Sequence, residues 1–141
     1  NLLIGESTAE RIKKEIGTAR IRADRTPLVT RIKGRDVSRG VPIEISLNQS
    51  EVVEALSEAV SQIVDAVRTT LENTAPEIAA DIIEGGIILS GGGALLPELD
   101  QVLSDETGLP VRVAENPLDC VALGAGRALE DPSYAGVLHA T

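Results

Sequence analysis

Apolar residues recur at spacings of three and four in two parts of the 141-residue chain, which predicts two amphipathic helices. The first is predicted to open with a capping box from Ser7 to Glu10, and its apolar face comprises Ala9, Ile12, Ile16 and Ala19. The second is predicted over residues 50–73, capped by Asn48 or Ser50, with an apolar stripe made by Val52, Leu56, Ala59 or Val60, Ile63, Val67 and Leu71. A further capping box, Thr74 to Glu77, predicts a short third helix that ends at Gly85 and Gly86.

Between the two long helices the period changes to two. Residues 41–47 alternate strictly and residues 28–33 alternate weakly, so a β-hairpin is predicted, with residues 34–40 as its loop. Pro42 cannot donate a backbone hydrogen bond, which indicates an edge strand.

The second half of the chain has a strand–helix–strand–helix pattern. Strands are predicted at residues 87–89 and 110–114, and helices at 97–107 and 116–130. Short connections between such elements are typical of a βαβ unit with a parallel strand pair. The all-apolar strand 87–89 is expected to be buried on both faces. The segment from Asp131 onward is expected to be loosely ordered.

The composition limits the classes of function. The net charge is −9, from 22 acidic and 13 basic residues, and the one basic segment lacks aromatic residues, so nucleic acid is not an expected partner. No apolar run is long enough to span a membrane. The single cysteine, Cys120, fits a reducing compartment, and the cytoplasm is the expected location. Asn1 in place of an initiator Met leads us to expect that the native start lies upstream.

No catalytic constellation or metal site is predicted. His139, the only histidine, has no neighbouring ligand, and Cys120 has no histidine companion. Gly124 and Gly126 fall inside the last predicted helix, where each costs up to about 1 kcal/mol relative to Ala. Backbone packing is the favoured explanation for these two glycines, and a close ligand is the alternative. Asp119 is interpreted as a helix-capping acid.

Three consecutive glycines, Gly91, Gly92 and Gly93, follow the apolar strand and precede a helix. Glycine lets a backbone approach a ligand closely, and free N–H groups at a helix start attract polar ligand edges. A tight turn is the alternative, although a turn seldom needs three glycines. The segment is neither a P-loop nor a dinucleotide fingerprint, because Lys-Ser/Thr and the third spaced glycine are missing.

A second candidate site lies on the first helix, where Glu10, Lys13, Lys14 and Gly17 share one face. Glu10 could accept hydrogen bonds from ribose hydroxyls and Lys13 could lie against a base. From the residues alone the structural interpretation is favoured, with Glu10 as the capping-box acid and as the partner of Lys14 in an exposed ion pair.

These motifs occur in one order that resembles the MreB family of bacterial actins. The resemblance rests on five segments and covers nearly the whole chain: residues 5–17 (GESTAERIKKEIG), 34–36 (GRD), 40–42 (GVP), 89–96 (LSGGGALL) and 116–124 (NPLDCVALG). It implies an α/β, actin-like (ribonuclease H-like) fold fragment: the C-terminal portion, in which a βαβα unit adjoins a small α+β lobe with an edge hairpin. Residues 1–50 would be part of subdomain IIB and residues 51–141 a portion of subdomain IIA, bridged by the helix at 50–73.

The resemblance also implies function. The family is cytoplasmic, binds ATP with Mg²⁺ and has weak ATPase activity. It forms filaments on the inner face of the membrane, where it works with cell-shape membrane proteins of the elongation machinery to guide peptidoglycan synthesis in rod-shaped bacteria. The phosphate loops, the hydrolytic carboxylates and the membrane-inserting segments of the family have no counterpart in these residues.

Residue by residue, the resemblance implies nucleotide-binding roles. Glu10 and Lys13 match the ribose and adenine contacts of the superfamily, with Lys14 and Gly17 on the same helix face. The glycine segment with Ala94 and Leu95 matches the adenosine loop. The chain departs from the pattern at Leu95 and Leu96, where relatives place Arg or Tyr beside the base. With the resemblance, the nucleotide interpretation becomes the favoured one for Glu10 and for the glycines.

Two other classes of function remain open at this point. One is another ATPase of the same superfamily, a sugar kinase or a heat-shock chaperone, although the segment 91–97 lacks the Arg expected of the chaperone. The other is an α/β interaction module that binds no ligand.

Overall fold

The computed structural model describes residues 1–137, so His139 lies outside the described residues. The elements in chain order are β1 (Leu2–Leu3), α1 (Glu6–Ile16), β2 (Val29–Asp36), β3 (Pro42–Asn48), α2 (Gln49–Glu72), α3 (Pro76–Gly85), β4 (Ile87–Leu89), a 3₁₀ turn (Gly92–Leu95), α4 (Leu99–Thr107), β5 (Val111–Val113), α5 (Cys120–Glu130) and a second 3₁₀ turn (Pro132–Val137).

The first lobe is a three-stranded antiparallel sheet, in the order β1-β2-β3, packed against α1. Ile32 is buried, and Ile43, Ile45 and Leu47 are half-buried on alternate positions, as the period of two predicts. Pro42 begins an edge strand, as expected. Strand β2 is longer than predicted, because pairing continues to Gly34 opposite Ile43 and Arg35 opposite Pro42, whereas β3 is shifted by one residue at each end. Strand β1 was not predicted, since two residues are too few to show a period.

Helix α2 connects two hydrophobic clusters. Near its start Val52 packs with Ile12, Ile16 and Ile32 of the first lobe. Further along, Val60 and Val64 pack with Leu99 and Leu103 of α4, and the half-buried Leu56 touches both clusters. The predicted stripe was wrong at Ile63, whose exposed fraction is 41%, because Val64 turns inward in its place.

The second lobe contains the parallel pair predicted from the sequence. Ile87, Ile88 and Leu89 of β4 lie opposite Val111, Arg112 and Val113 of β5. Helix α4 connects the strands and ends at Gly108, whose left-handed φ of 71° favours glycine. The prediction that residues 87–89 are buried on both faces was wrong: Ile88 is 53% exposed, because the described sheet has two strands and one of its faces is left uncovered.

Of the three predicted helix caps, the one at α2 is confirmed and the other two are wrong. Asn48 forms a full capping box with Glu51 at the start of α2. The capping box predicted at Ser7 was wrong, because α1 begins at Glu6 after Gly5 and carries no side-chain cap. The one predicted at Thr74 was also wrong, since its hydroxyl donates back to the Thr70 carbonyl at 2.7 Å and α3 starts after Ala75.

Residues 132–137 form a 3₁₀ turn, and the Asp131 carboxylate before it accepts a hydrogen bond from the Ser133 N–H at 2.9 Å. The loose order expected from Asp131 onward stays a prediction, and part of that segment lies outside the described residues. Helix α5 buries no residue, and several of its apolar side chains are open to solvent: Val121, Leu123 and Leu129.

Truncation of Leu103 to Ala should be strongly destabilising. Leu103 is fully buried at the centre of the second cluster, so the substitution removes apolar contacts and leaves a cavity, at a cost of about 2–5 kcal/mol in the free energy of unfolding. Leu123→Ala is the matched control, because Leu123 is 52% exposed. Urea unfolding measures the free energy of unfolding of both variants. Equal losses of this free energy in the two variants would contradict the assignment of Leu103 to the core.

Candidate functional site

The first group of predicted site residues lies on the outer face of α1. Lys13 Nζ is 2.5 Å and Lys14 Nζ is 3.5 Å from the Glu10 carboxylate, so both form ion pairs with it. All three side chains are about half-exposed or more. The expected pair with Lys14 is present, whereas the expected cap role of Glu10 is not, since α1 has no side-chain cap. The carboxylate and both ammonium groups are thus accessible to a ligand.

The charge on Glu10 is stabilised by these neighbours. The hydrogen bond from Lys13 lowers the pKa of the Glu10 carboxyl below its ordinary value, and Lys14 acts in the same direction. A carboxyl whose pKa is lowered on folding contributes stability above its unfolded pKa, and that contribution is lost as the pH falls through the folded pKa. Glu10 is therefore ionised at neutral pH and can accept hydroxyl hydrogen bonds.

Gly17 ends α1, and its own helix explains why it is a glycine. A Cβ at this position would lie 2.2 Å from the Lys13 carbonyl oxygen, which no side chain tolerates. Its N–H donates to the same carbonyl at 2.9 Å. The structure thus gives Gly17 a structural requirement that holds with or without a ligand.

The three loop glycines differ from one another. Gly91 has a φ of +80°, and its N–H donates to the Pro117 carbonyl at 2.6 Å, so a turn explains this glycine. Gly92 and Gly93 are not in the left-handed region, and open space surrounds the position of a Cβ apart from an ordinary contact between Gly92 and Leu118. Neither the backbone nor the packing of the described residues requires glycine at 92 or 93.

Ala94 and Leu95 complete the 3₁₀ turn of this loop. Ala94 is buried and anchors the turn, whereas Leu95 is 55% exposed. The side chain of Leu95 is thus available to contact a ligand, while Ala94 could do so only through its backbone.

Hydrogen bonds join the end of α1 to the end of the glycine loop. The Ala19 N–H donates to the Pro97 carbonyl at 2.8 Å, and the buried Thr18 hydroxyl lies 3.1 Å from the same oxygen and 2.8 Å from the Arg20 carbonyl. Beside them, Arg20 Nε donates to the Glu98 carboxylate at 3.3 Å. These contacts bring the two groups of site residues onto adjoining elements.

Three of the hollows among the described residues border α1, and the glycine loop lines none of them; one, of about 630 Å³, is lined by α1 alone, including Glu10 and Lys14. An apolar groove of about 430 Å³ is bordered by Glu10 and Lys13 on one side and Leu56 of α2 on the other. A smaller cleft of about 180 Å³ is bordered by Lys14, Gly17 and Pro97. Glu10 and the glycines therefore do not meet directly in one enclosed pocket; the cleft at Pro97 is where their elements come closest.

The other candidates contribute little chemistry. Among residues 1–137, no group of three or more His, Cys, Asp or Glu residues is placed to hold a metal ion. Gly124 and Gly126 have open space where a Cβ would lie, so the packing expected to explain them is not present among the described contacts. Asp119 occupies the N-cap position of α5 without a side-chain cap bond. None of the described helices is both long and apolar enough to cross a membrane.

Sequence reasoning did not identify Thr18, Arg20 or Glu98 as neighbours of the site. Their partners lie 78 or 79 residues away along the chain, so no periodic pattern connects them. The one local signal is the charged segment 20–25, which begins three residues after Gly17.

Three comparisons identify what this chain is similar to. The family model described as MreB/Mbl protein matches residues 1–136. A curated relative, cell shape-determining protein MreB of Escherichia coli (strain K12), is 53% identical over 128 residues, which are 91% of this chain and 36% of the relative. The chain therefore spans about a third of the length of that relative.

Two solved structures show the same similarity to MreB proteins. MreB5 of Spiroplasma citri bound to ADP is 35% identical and superimposes with a TM-score of 0.87, covering 99% of this chain and 42% of the other. MreB 5 of the same organism bound to AMPPNP is 38% identical with a TM-score of 0.86, covering 92% and 38%. The predicted actin-like α/β fold and the resemblance to MreB are thereby confirmed.

Removal of Lys13 should raise the pKa of Glu10 more than removal of Lys14, because the Lys13 hydrogen bond is the largest cause of its lowering. We expect this order for Lys13→Gln and Lys14→Gln when the Glu10 carboxyl resonance is titrated by NMR. An unchanged pKa in Lys13→Gln would contradict the ion pairing on α1.

Proposed function

Since this chain belongs to the MreB/Mbl family, we propose that it forms one wall of the ATP-binding cleft of a filament-forming bacterial actin that determines cell shape. The wall consists of the outer face of α1 and the loop Gly91–Leu95. The chain covers 36% of its E. coli relative, so the rest of the cleft would come from other parts of a family-length protein.

One observation carries this proposal: Gly92 and Gly93 have no conformational or packing reason to be glycine, and Pro97, two residues beyond their loop, is hydrogen-bonded to Thr18 and Ala19, which follow α1. A loop without side chains lets a flat ring system lie against its backbone, and its N–H groups can bind polar ring edges. The two MreB5 structures contain ADP and AMPPNP, which supports a nucleotide as the ligand.

The proposed roles are those that the resemblance implies, and the charge and exposure of each residue support them. Glu10, ionised and half-exposed, accepts hydrogen bonds from the ribose hydroxyls. Lys13 lies against the adenine and Lys14 extends the same polar face, while Gly17 lets α1 end without a side chain at the cleft. On the same wall, Gly91, Gly92 and Gly93 border the adenosine, and the exposed Leu95, on a turn anchored by Ala94, provides an apolar contact.

The remaining properties are proposed for the family-length protein. Mg²⁺ would accompany the phosphates of ATP there, because Mg²⁺ is commonly bound through substrate phosphates together with one or two carboxylates. Self-association into filaments, a cytoplasmic location, and attachment to the membrane and to the elongation machinery through segments outside this chain belong to the same proposal. So does the division into a partial subdomain IIB at 1–50 and a portion of subdomain IIA at 51–141, bridged by α2.

The alternative of a sugar kinase or chaperone is not favoured, because the matches that show the family are to MreB and Mbl proteins. A ligand-free interaction module would leave Gly92 and Gly93 without an explanation. Nucleotide titration distinguishes the two functions, because an interaction module of this kind would bind no nucleotide.

Gly92→Val in the full-length protein, meaning the protein made from its complete reading frame, should abolish ATP binding while the fold is retained. The new side chain would occupy the space assigned to the nucleoside, yet it meets only an ordinary contact with Leu118 inside the chain. Gly92→Ala should weaken ATP binding less. Calorimetry measures affinity, and circular dichroism measures the melting temperature.

Gly85→Val is the matched control, because Gly85 also has open space around it and lies at the end of α3, outside the site. It should bind ATP like the wild type. Normal ATP binding by Gly92→Val would show that the loop is a structural turn and would remove the nucleotide assignment.

A further inference from the structure

Glu98 combines two features that oppose each other energetically. Its backbone is left-handed, with φ 66° and ψ 0°, a region that residues with a Cβ adopt at a cost and that suits glycine. Its side chain is only 18% exposed and points back across the molecule toward the segment that follows α1. Non-glycine residues held in this region cluster at functional sites, where surrounding contacts compensate for the strain.

The compensating contacts come from the other lobe. Arg20 Nε is 3.3 Å from one carboxylate oxygen of Glu98, and Arg22 Nη1 is 3.9 Å from the other. Arg20 also hydrogen-bonds Asp105 of α4, and this contact, together with Glu98, raises the pKa of the Arg20 guanidinium above its ordinary value. One arginine thus binds two acids of the second lobe.

This ion cluster joins the two segments that follow the halves of the proposed nucleotide wall. Arg20 is three residues beyond Gly17 on one side, and Glu98 is three residues beyond Leu95 on the other. The neighbouring residues of the same two segments are joined by the backbone bond from the Ala19 N–H to the Pro97 carbonyl. Breaking the Arg20–Glu98 contact would remove one of the links between these segments.

We propose that Glu98 is a positioning residue for nucleotide binding: through Arg20 and Arg22 it holds α1 and the glycine loop at the separation that fits the nucleoside. This inference rests on the proposed nucleotide site and adds a residue that touches no ligand. Exposed ion pairs add little to stability, so the effect of this cluster is expected in the geometry of the cleft. A cleft held at the wrong separation binds ATP less tightly because binding must also restore that separation.

Glu98→Gly in the full-length protein separates the effect of the left-handed backbone from the effect of the carboxylate. Glycine accepts φ 66° without strain, so the melting temperature should stay the same or rise. The carboxylate is lost, so ATP should bind about fivefold more weakly by calorimetry, the lower end of typical coupling between sites. A purely structural role cannot give this divergence between stability and affinity.

Three further variants and one control complete the test. Glu98→Gln keeps the side-chain size and should weaken ATP binding in the same direction, and Arg20→Gln should do so as well. The double variant with both Arg20→Gln and Glu98→Gln should bind ATP no more weakly than Arg20→Gln alone, because both substitutions break the same contact network. Arg68→Gln is the control: it breaks an ion pair between α2 and α4, to Glu106, outside the cleft, and should leave ATP affinity unchanged.

The possible outcomes are distinct. Wild-type affinity in Glu98→Gly would overturn the positioning role while leaving the proposed function intact. A loss of affinity that matches a loss of melting temperature would also overturn it, in favour of a structural pair. A wild-type protein that binds no ATP would overturn the proposed function, and the positioning role with it.

Discussion

The arrangement of this chain depends on one helix that belongs to two hydrophobic clusters. Helix α2 has 24 residues and is therefore about 36 Å long, which is enough to span both lobes. Val52 near its start packs under the antiparallel sheet, and Val60 and Val64 pack against α4. Because each cluster has only four buried members, neither lobe has a large core of its own, and the shared helix fixes the position of one relative to the other.

The polar contacts at the cleft depend on that shared helix. With α1 held on the first cluster and α4 on the second, the end of α1 lies beside Pro97, where Thr18, Ala19 and Arg20 make their bonds. The candidate nucleotide wall is thus assembled from segments about 80 residues apart. On α1 the wall presents the ionised, half-exposed carboxylate of Glu10. In the loop it presents Gly92 and Gly93, which the fold itself does not require to be glycine.

The sequence allowed most elements to be predicted, because long segments carry a clear period. Helix α2 begins and ends within one residue of its predicted limits, and β4 matches its prediction. Both predicted capping boxes were wrong, because Ser7 already lies inside α1 and the Thr74 hydroxyl donates to the Thr70 carbonyl instead of capping α3. The roles of Arg20 and Glu98 could not be predicted, since their contact forms only when both lobes pack on α2.

The central claim is that α1 and the glycine loop contact the same nucleotide, and photolabelling of the full-length protein tests it most directly. An ATP analogue with an azido group on the adenine should label peptides from both elements, one containing Lys13 and the other containing Gly91–Leu95. Excess unlabelled ATP should suppress both labels together. Labelling that omits either element, or that persists under excess ATP, would contradict the account.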